Sequence, residues 1–258
     1  MDIIIRISLF SGFLFLFILA EIWRPRRPRV YTRLKRWPSN FGIVILNNLM
    51  VRLLPWILPL RISVLAAEKG WGVLNWISIP IWLEFFIAIL FMDLIIYGQH
   101  RLFHEFPFLL RIHRMHHTER DLDVTSALKF HPLEILISLL IKSTAVLILG
   151  LSMSQIIVFE VILNTMAMFN HANFFIPVPL DQKLRFLFVT PDMHRIHHSI
   201  DPWESSKNYG FNLSVWDYIF KSYLHEAKLG QEELVLGHNA FKKEKYTHIL
   251  WQLRIPFL

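Results

Sequence analysis

The sequence predicts an all-α fold, a polytopic membrane helical bundle with a histidine-rich helical cap, and three observations carry that expectation. Of 258 residues, 54% are hydrophobic, 22 are Phe, and the mean hydropathy is +0.41, the composition of an integral membrane domain rather than a soluble one. Apolar runs of roughly membrane-crossing length recur along the chain. Eight of the 13 histidines fall into three tight groups that adjoin those runs: His100 and His104; His113, His116 and His117; His194, His197 and His198. No linker divides the chain, so 1–258 is expected as one domain.

The first expected span, 3–23, is broken only by Arg6, Ser8, Ser11, Gly12 and Glu21, and is long enough for a hydrocarbon core of about 30 Å. A cleaved signal peptide fits less well, because no small-residue cleavage pattern follows and the positive charge lies mainly after the run. Arg24, Arg26, Arg27, Arg29, Arg33, Lys35 and Arg36 come next without an acid among them, which places this loop on the cytoplasmic side. A second span, 41–60, returns outward with Pro55 and Pro59 near its far end, and a third, 79–97, comes back. His100 therefore emerges on the cytoplasmic face. Residues 133–169 read as a helical hairpin turning near Gly150–Ser154, so that 98–132 and 170–223 form one cap on that face. Segment 208–223 is expected to pack on the membrane surface or on the cap, and His225, His238 and His248 in the tail read as ordinary surface residues. The expected location is a bacterial inner membrane, or the endoplasmic reticulum in a eukaryote.

Net charge is +7, but much of the excess sits in the one loop where topology explains it, so nucleic acid is not an expected partner. Cysteine is absent, which excludes disulfides, iron–sulfur clusters and thiolate metal sites.

Residues four apart on a helix share a face, as do residues three apart, so H-x-x-x-H and H-x-x-H-H each aim two or more imidazoles one way. That is metal-ligand spacing, and imidazole suits iron, zinc, copper and nickel alike. Asp93, Tyr97, His100 and His104 fall on one stripe of the third span, and an acid inside a bilayer is costly. Asp93 and Tyr97 read as residues supporting the ligands or lining a substrate channel, with interfacial snorkelling an equal reading for Tyr97; Glu84 reads as structural. The hairpin brings His131 and His171 to one face. His171, next to Asn170 in NHANF, is either a ninth ligand or, like Asn170, a supporting residue; His131 in HPLE is an additional ligand, a supporting residue or a helix-entry residue.

The ordered motifs HRLFH, HRMHH, HPLE, NHANF, TPDMHRIHH and NYGFNLSVWDYIF closely resemble those of the fatty acid hydroxylase and sterol desaturase superfamily. The resemblance covers Asp93 to Tyr223, about half the chain. It implies two metal ions held at the cytoplasmic face by His100, His104, His113, His116, His117, His194, His197 and His198. It further implies two iron ions as cofactor, with zinc able to replace them on purification, and O2 as co-substrate. The reaction implied is hydroxylation or desaturation of a lipid, whether fatty acyl, sterol-like, ether-lipid or carotenoid. Electrons would come from a separate ferredoxin- or cytochrome-type donor with its reductase, because there is neither cysteine for a cluster nor a G-x-G-x-x-G fingerprint. The basic face offers that donor a docking surface. One departure stands out: Lys221-Ser222-Tyr223 follows WDYIF where relatives commonly show Gly-Thr-Tyr, and Gly tolerates backbone that Lys does not. The competing class is a non-catalytic metal carrier or haem-binding electron-transfer subunit. A carrier would spread polar ligands deep through several spans, and bis-histidine haem would need only a pair.

Overall fold

The computed structural model describes residues 2–258, with side chains from Ile4 onward. Among these residues there is no β-strand, only three isolated bridges. Helix α1, Asp2–Trp23, is unbroken until the Arg24-Pro25 corner, and its Phe10, Phe13, Leu14, Phe17 and Ile18 pack on Val124, Ala127, Ala167 and Met168. Helices α4 (Ile81–Glu105), α6 (Pro132–Leu149) and α7 (Met153–His171) are, with α1, long and apolar enough to cross a membrane. Twenty-five residues make α4 about 37 Å long, enough to bring His100 to the edge of a hydrocarbon layer of about 30 Å and His104 past it.

The segment expected as one span at 41–60 is divided. Helix α2 begins earlier, in the cap, and runs Arg33–Arg52; a 3-10 turn at Pro55–Ile57 follows, and α3 occupies Pro59–Lys69. Pro55 and Pro59 each remove a backbone donor and restrict the residue before them, which is why the helix cannot continue. The two pieces still run in one direction. Arg36 sits among cap acids, the Ser143 hydroxyl halfway along α6 donates to the Ile57 carbonyl (2.5 Å), and Gly72 meets Gly150 at the far end. A Cβ on Gly72 would come 2.1 Å from the Gly150 nitrogen, so this closure admits nothing larger.

α1 and α7 run parallel: Arg6 pairs with Glu160, and beyond both helices Pro25 bridges Phe174. α6 and α7 share a tight turn, closed by a capping box between Ser152 and Gln155, yet they diverge from it. α3 and α4 pack against both, so the expected hairpin is a splayed pair rather than a closed one.

The cap assembles from α5 (Pro107–His113), α8 (Val178–Leu184), α9 (Pro191–His197), α10 (Pro202–Ser205) and α11 (Val215–Ile219). The tail joins it: Phe241 and Ile255 pack on Ile43 of α2 and on Met115, and Arg114 donates to the Ile255 carbonyl (2.6 Å). Much of the arginine run is consumed internally. Arg36 is buried against Glu119 (3.1 Å), Asp121 (3.7 Å) and Asp123, Arg33 pairs with Glu21 (3.0 Å), and Arg26 with Asp192 (3.1 Å). These pairs tie the end of α1 and the start of α2 to the cap. Lys221 takes φ 57, a left-handed conformation that Gly would adopt without strain.

Candidate metal centre

Nine imidazoles converge at the cap end of the bundle in two adjoining groups. His100, His104, His113, His117 and His197 form one, and His116, His171, His194 and His198 the other; within each, a ring nitrogen of every member lies within 4.8 Å of the rest. Local structure delivers them. α4 places His100 and His104 one turn apart, and Pro107 starts α5, whose last residue is His113. A 3-10 turn then presents His116 and His117. Thr190 caps α9 by accepting from the Met193 amide (3.3 Å), with Pro191 in its first turn, and α9 ends on the third histidine group. His171 closes α7.

The triplets in the sequence do not map one to one onto the groups. In H-x-x-H-H the outer histidines are four apart and share a face, whereas neighbouring residues on a helix point about 100° apart. His113 and His117 join the first group and His116 the second, while His194 and His198 join the second and His197 the first. The groups touch where the His117 and His198 rings stack, 4.4 Å between centroids.

The outer nitrogens fix the rings. Nδ1 donates to the Tyr209 carbonyl from His100 (2.8 Å), to Lys129 from His116 (3.1 Å), to Ala167 from His171 (2.8 Å) and to Lys207 from His197 (2.8 Å). His113 donates to the Glu134 carboxylate (2.7 Å). A carbonyl only accepts, so these Nδ1 atoms carry the proton and the Nε2 lone pairs face inward. Nε2 of His171 then lies 3.0 Å from that of His116 and 3.2 Å from that of His194. Nε2 of His104 and of His197 are buried with no hydrogen-bond partner among the described residues. Converging lone pairs in a dry interior repel, and a cation among them relieves that repulsion. A proton is a poor substitute: burial first, and the neighbouring imidazoles second, push His113, His116, His117, His194, His197 and His198 well below the ordinary histidine range. Such nitrogen separations suit adjacent ligands of an ion bonded at about 2.0–2.1 Å. The donor set fits two ions of a metal that takes imidazole.

The other residues singled out from sequence lie around these groups. Asp93 accepts from Trp216 Nε1 (2.8 Å) and from the amides of Leu213 (3.2 Å) and Asn212 (3.3 Å), and the Tyr97 hydroxyl meets that of Ser222 at 2.8 Å. Asn170 donates to the Phe211 carbonyl (2.5 Å). All three clamp the segment whose Tyr209 carbonyl orients His100. His131 stands outside both groups: its Nδ1 accepts from the Leu133 amide (3.1 Å) as the cap of α6, and its Nε2 donates to the Leu253 carbonyl (3.2 Å). With both nitrogens so engaged it takes the position of a helix-entry residue, outside the two groups.

Two acids escaped the sequence reading. Glu134, which holds His113, was visible only as an acid in the first turn of an apolar helix beside the cap. Asp217 accepts from the amides of Tyr209 and Gly210 (both 2.8 Å) and from the Ser222 hydroxyl (2.6 Å), and burial raises its carboxyl to about 6 against the donors that favour its charge. Its only signal was an acid inside an aromatic run.

A cavity of about 780 Å³ leads from His100, His113, His116 and His194 into the bundle, bordered by α1, α2, α4, α6 and α7. It falls within the range of small-molecule sites.

A family model described as fatty acid hydroxylase matches residues 85–222, just over half the chain. An ornithine lipid hydroxylase of Rhizobium tropici is 28% identical over 145 residues, 56% of this chain and 43% of the relative. Alkylglycerol monooxygenases of Caenorhabditis elegans and Homo sapiens are 26% and 27% identical over 72% and 64% of this chain, and 36% and 34% of their own lengths. The chain thus spans less than half the length of these curated relatives. No solved structure matches it. With the matched region carrying all nine clustered histidines, the chain belongs to the fatty acid hydroxylase family, within the fatty acid hydroxylase and sterol desaturase superfamily.

Proposed function

We propose that the protein is an O2-dependent di-iron membrane oxygenase that hydroxylates a C–H bond of a lipid. The observation that carries this reading is the pair of adjoining imidazole groups with inward lone pairs at the head of a long cavity. Iron bound there would supply redox chemistry toward O2 that zinc in the same ligands lacks. The chain's own part is to hold and to exclude. The five rings fixed through Nδ1, of His100, His113, His116, His171 and His197, keep their lone pairs aimed inward, and Phe130, stacked on His116 at 4.4 Å, walls one side against water. The cavity presents a chain lying in the bundle to the edges of both groups. Insertion of oxygen is favoured over desaturation because the relatives are named hydroxylase and monooxygenase.

In this reading the bundle sits in a bacterial inner membrane, or the endoplasmic reticulum of a eukaryote, with the histidines on the cytoplasmic face. Electrons arrive from a separate ferredoxin- or cytochrome-type donor on the basic cap. Lipids from cells expressing the wild type or His197→Ala, grown under oxygen-18, test it by mass spectrometry. A labelled hydroxyl in one lipid class with the wild type alone is expected. Identical lipid profiles from an iron-loaded wild type supplied with electrons would overturn it.

A further inference from the structure

The cavity wall changes character with distance from the histidines. Phe103, Phe130 and Phe211 line it near the rings, whereas Lys142, Glu160, Arg6 and Arg52 line it farther in. Arg6 and Glu160 pair with each other. Lys142, half-buried in the middle of α6, has no carboxylate within 4.0 Å among the described residues, and neither has Arg52 at the more exposed end of α2. Lys142 thus has no contacting acid in a space bounded by membrane-length helices, where a charge without a direct partner is costly and ordinarily marks a ligand or a path; Glu160 stands near it but is held by Arg6, so positive charge is in excess there, from Lys142 and from Arg52 at the exposed edge. An oxyanion brought by the ligand would match them.

Position adds a length. Glu134, Ser138 and Lys142 follow one another at intervals of four on α6, all on the cavity, and Glu134 holds His113. Eight residues of helix separate Glu134 from Lys142, about 12 Å.

We propose that Lys142, assisted by Arg52, binds the oxyanion of an amphiphile whose hydrocarbon chain extends along the cavity to the histidines. This rests on the cavity being the lipid site of the proposed oxygenase. Binding tests it without turnover. Purified protein in dodecylmaltoside, with its metal content measured, is titrated with palmitate, hexadecyl phosphate and hexadecanol by native mass spectrometry. The wild type should bind palmitate or hexadecyl phosphate at least tenfold tighter than hexadecanol, and whichever is preferred identifies the oxyanion as carboxylate or phosphate. Lys142→Met should lose that preference while hexadecanol affinity and metal content stay unchanged, and Lys142→Arg should keep it. Should Lys142→Met not fold, Lys142→Gln carries the same comparison, with hexadecanol reporting an intact cavity. No preference in the wild type, or a preference that survives loss of the charge, overturns the inference. Anion-selective binding without any lipid hydroxylation would remove the proposed reaction and leave this site standing.

Discussion

Loss of Glu134 should weaken metal binding while leaving the fold intact. The carboxylate touches the site through a single bond, from His113 Nδ1 at 2.7 Å, and its other oxygen is buried without a partner. In Glu134→Leu the His113 N–H points at hydrocarbon. A hydrogen bond to a charged group contributes about 1.5–3 kcal/mol, a factor of roughly 10–150. Loss of a partner that orients a ligating histidine ordinarily costs 10–100-fold in metal affinity, which agrees. Glu134→Gln keeps an acceptor without the charge, and neutral bonds are about half as strong, so the expected loss there is about 3–10-fold.

Folding stability of the metal-free chain should move less. Removing the buried carboxylate relieves its desolvation cost, while the His113 N–H left without an acceptor costs about 1–3 kcal/mol, so Glu134→Leu is expected to change apoprotein stability by no more than about 3 kcal/mol. Chelator competition with metal quantification gives the first quantity, and thermal unfolding of the apoprotein in detergent the second. Affinity of Glu134→Leu within twofold of wild type would refute the assignment of Glu134 as the residue that orients His113. A parallel collapse of apoprotein stability would show that its role is in packing instead.

Acid should release metal and stability together. The cap histidines have folded-state affinities for protons far below the ordinary value of about 6.5, so the unfolded chain binds protons that the folded chain refuses. Their contribution is complete above about pH 6.5 and is lost below it at up to about 1.4 kcal/mol per pH unit for each ring; metal content and unfolding followed from pH 8 to 5.5 should fall in step, and full metal retention at pH 5.5 would contradict this. Arg36→Met should destabilise the protein by about 3–5 kcal/mol, because it strands Glu119, Asp121 and Asp123 in the interior; a loss under 1 kcal/mol by denaturant titration would mean the cluster is solvated. Lys221→Gly should raise stability by about 1 kcal/mol, since φ 57 strains Lys and not Gly, with the unfolding midpoint as the measure.

What the sequence could show depended on whether a partner has a letter. The stripe from Asp93 to His104 follows from helical period alone and is found in the structure, whereas His113 and His117 join one group although α5 ends at His113 and a 3-10 turn carries His117. Pro55 and Pro59 were visible near the far end of the expected second span, but neither the break they make nor the α2 start at Arg33 was read there; Arg36 is buried by acids more than eighty residues away. The docking of the tail was not legible, because Phe241 and Ile255 meet Ile43 and Met115 only in space. The same limit governs the metal centre. Of the five groups that accept from histidine Nδ1 atoms, four are backbone carbonyls, at Tyr209, Lys129, Ala167 and Lys207, and any residue could supply those. Only Glu134 has a side chain that announces itself. Ligand types are therefore written in the sequence, whereas ligand orientation is written in the path of the backbone: Asp93, Tyr97, Asn170 and Asp217 contribute by holding that path around Tyr209 rather than by touching an imidazole. On this argument a substitution at Asp217 should alter the His100 ring before it alters any other, although the two residues never meet.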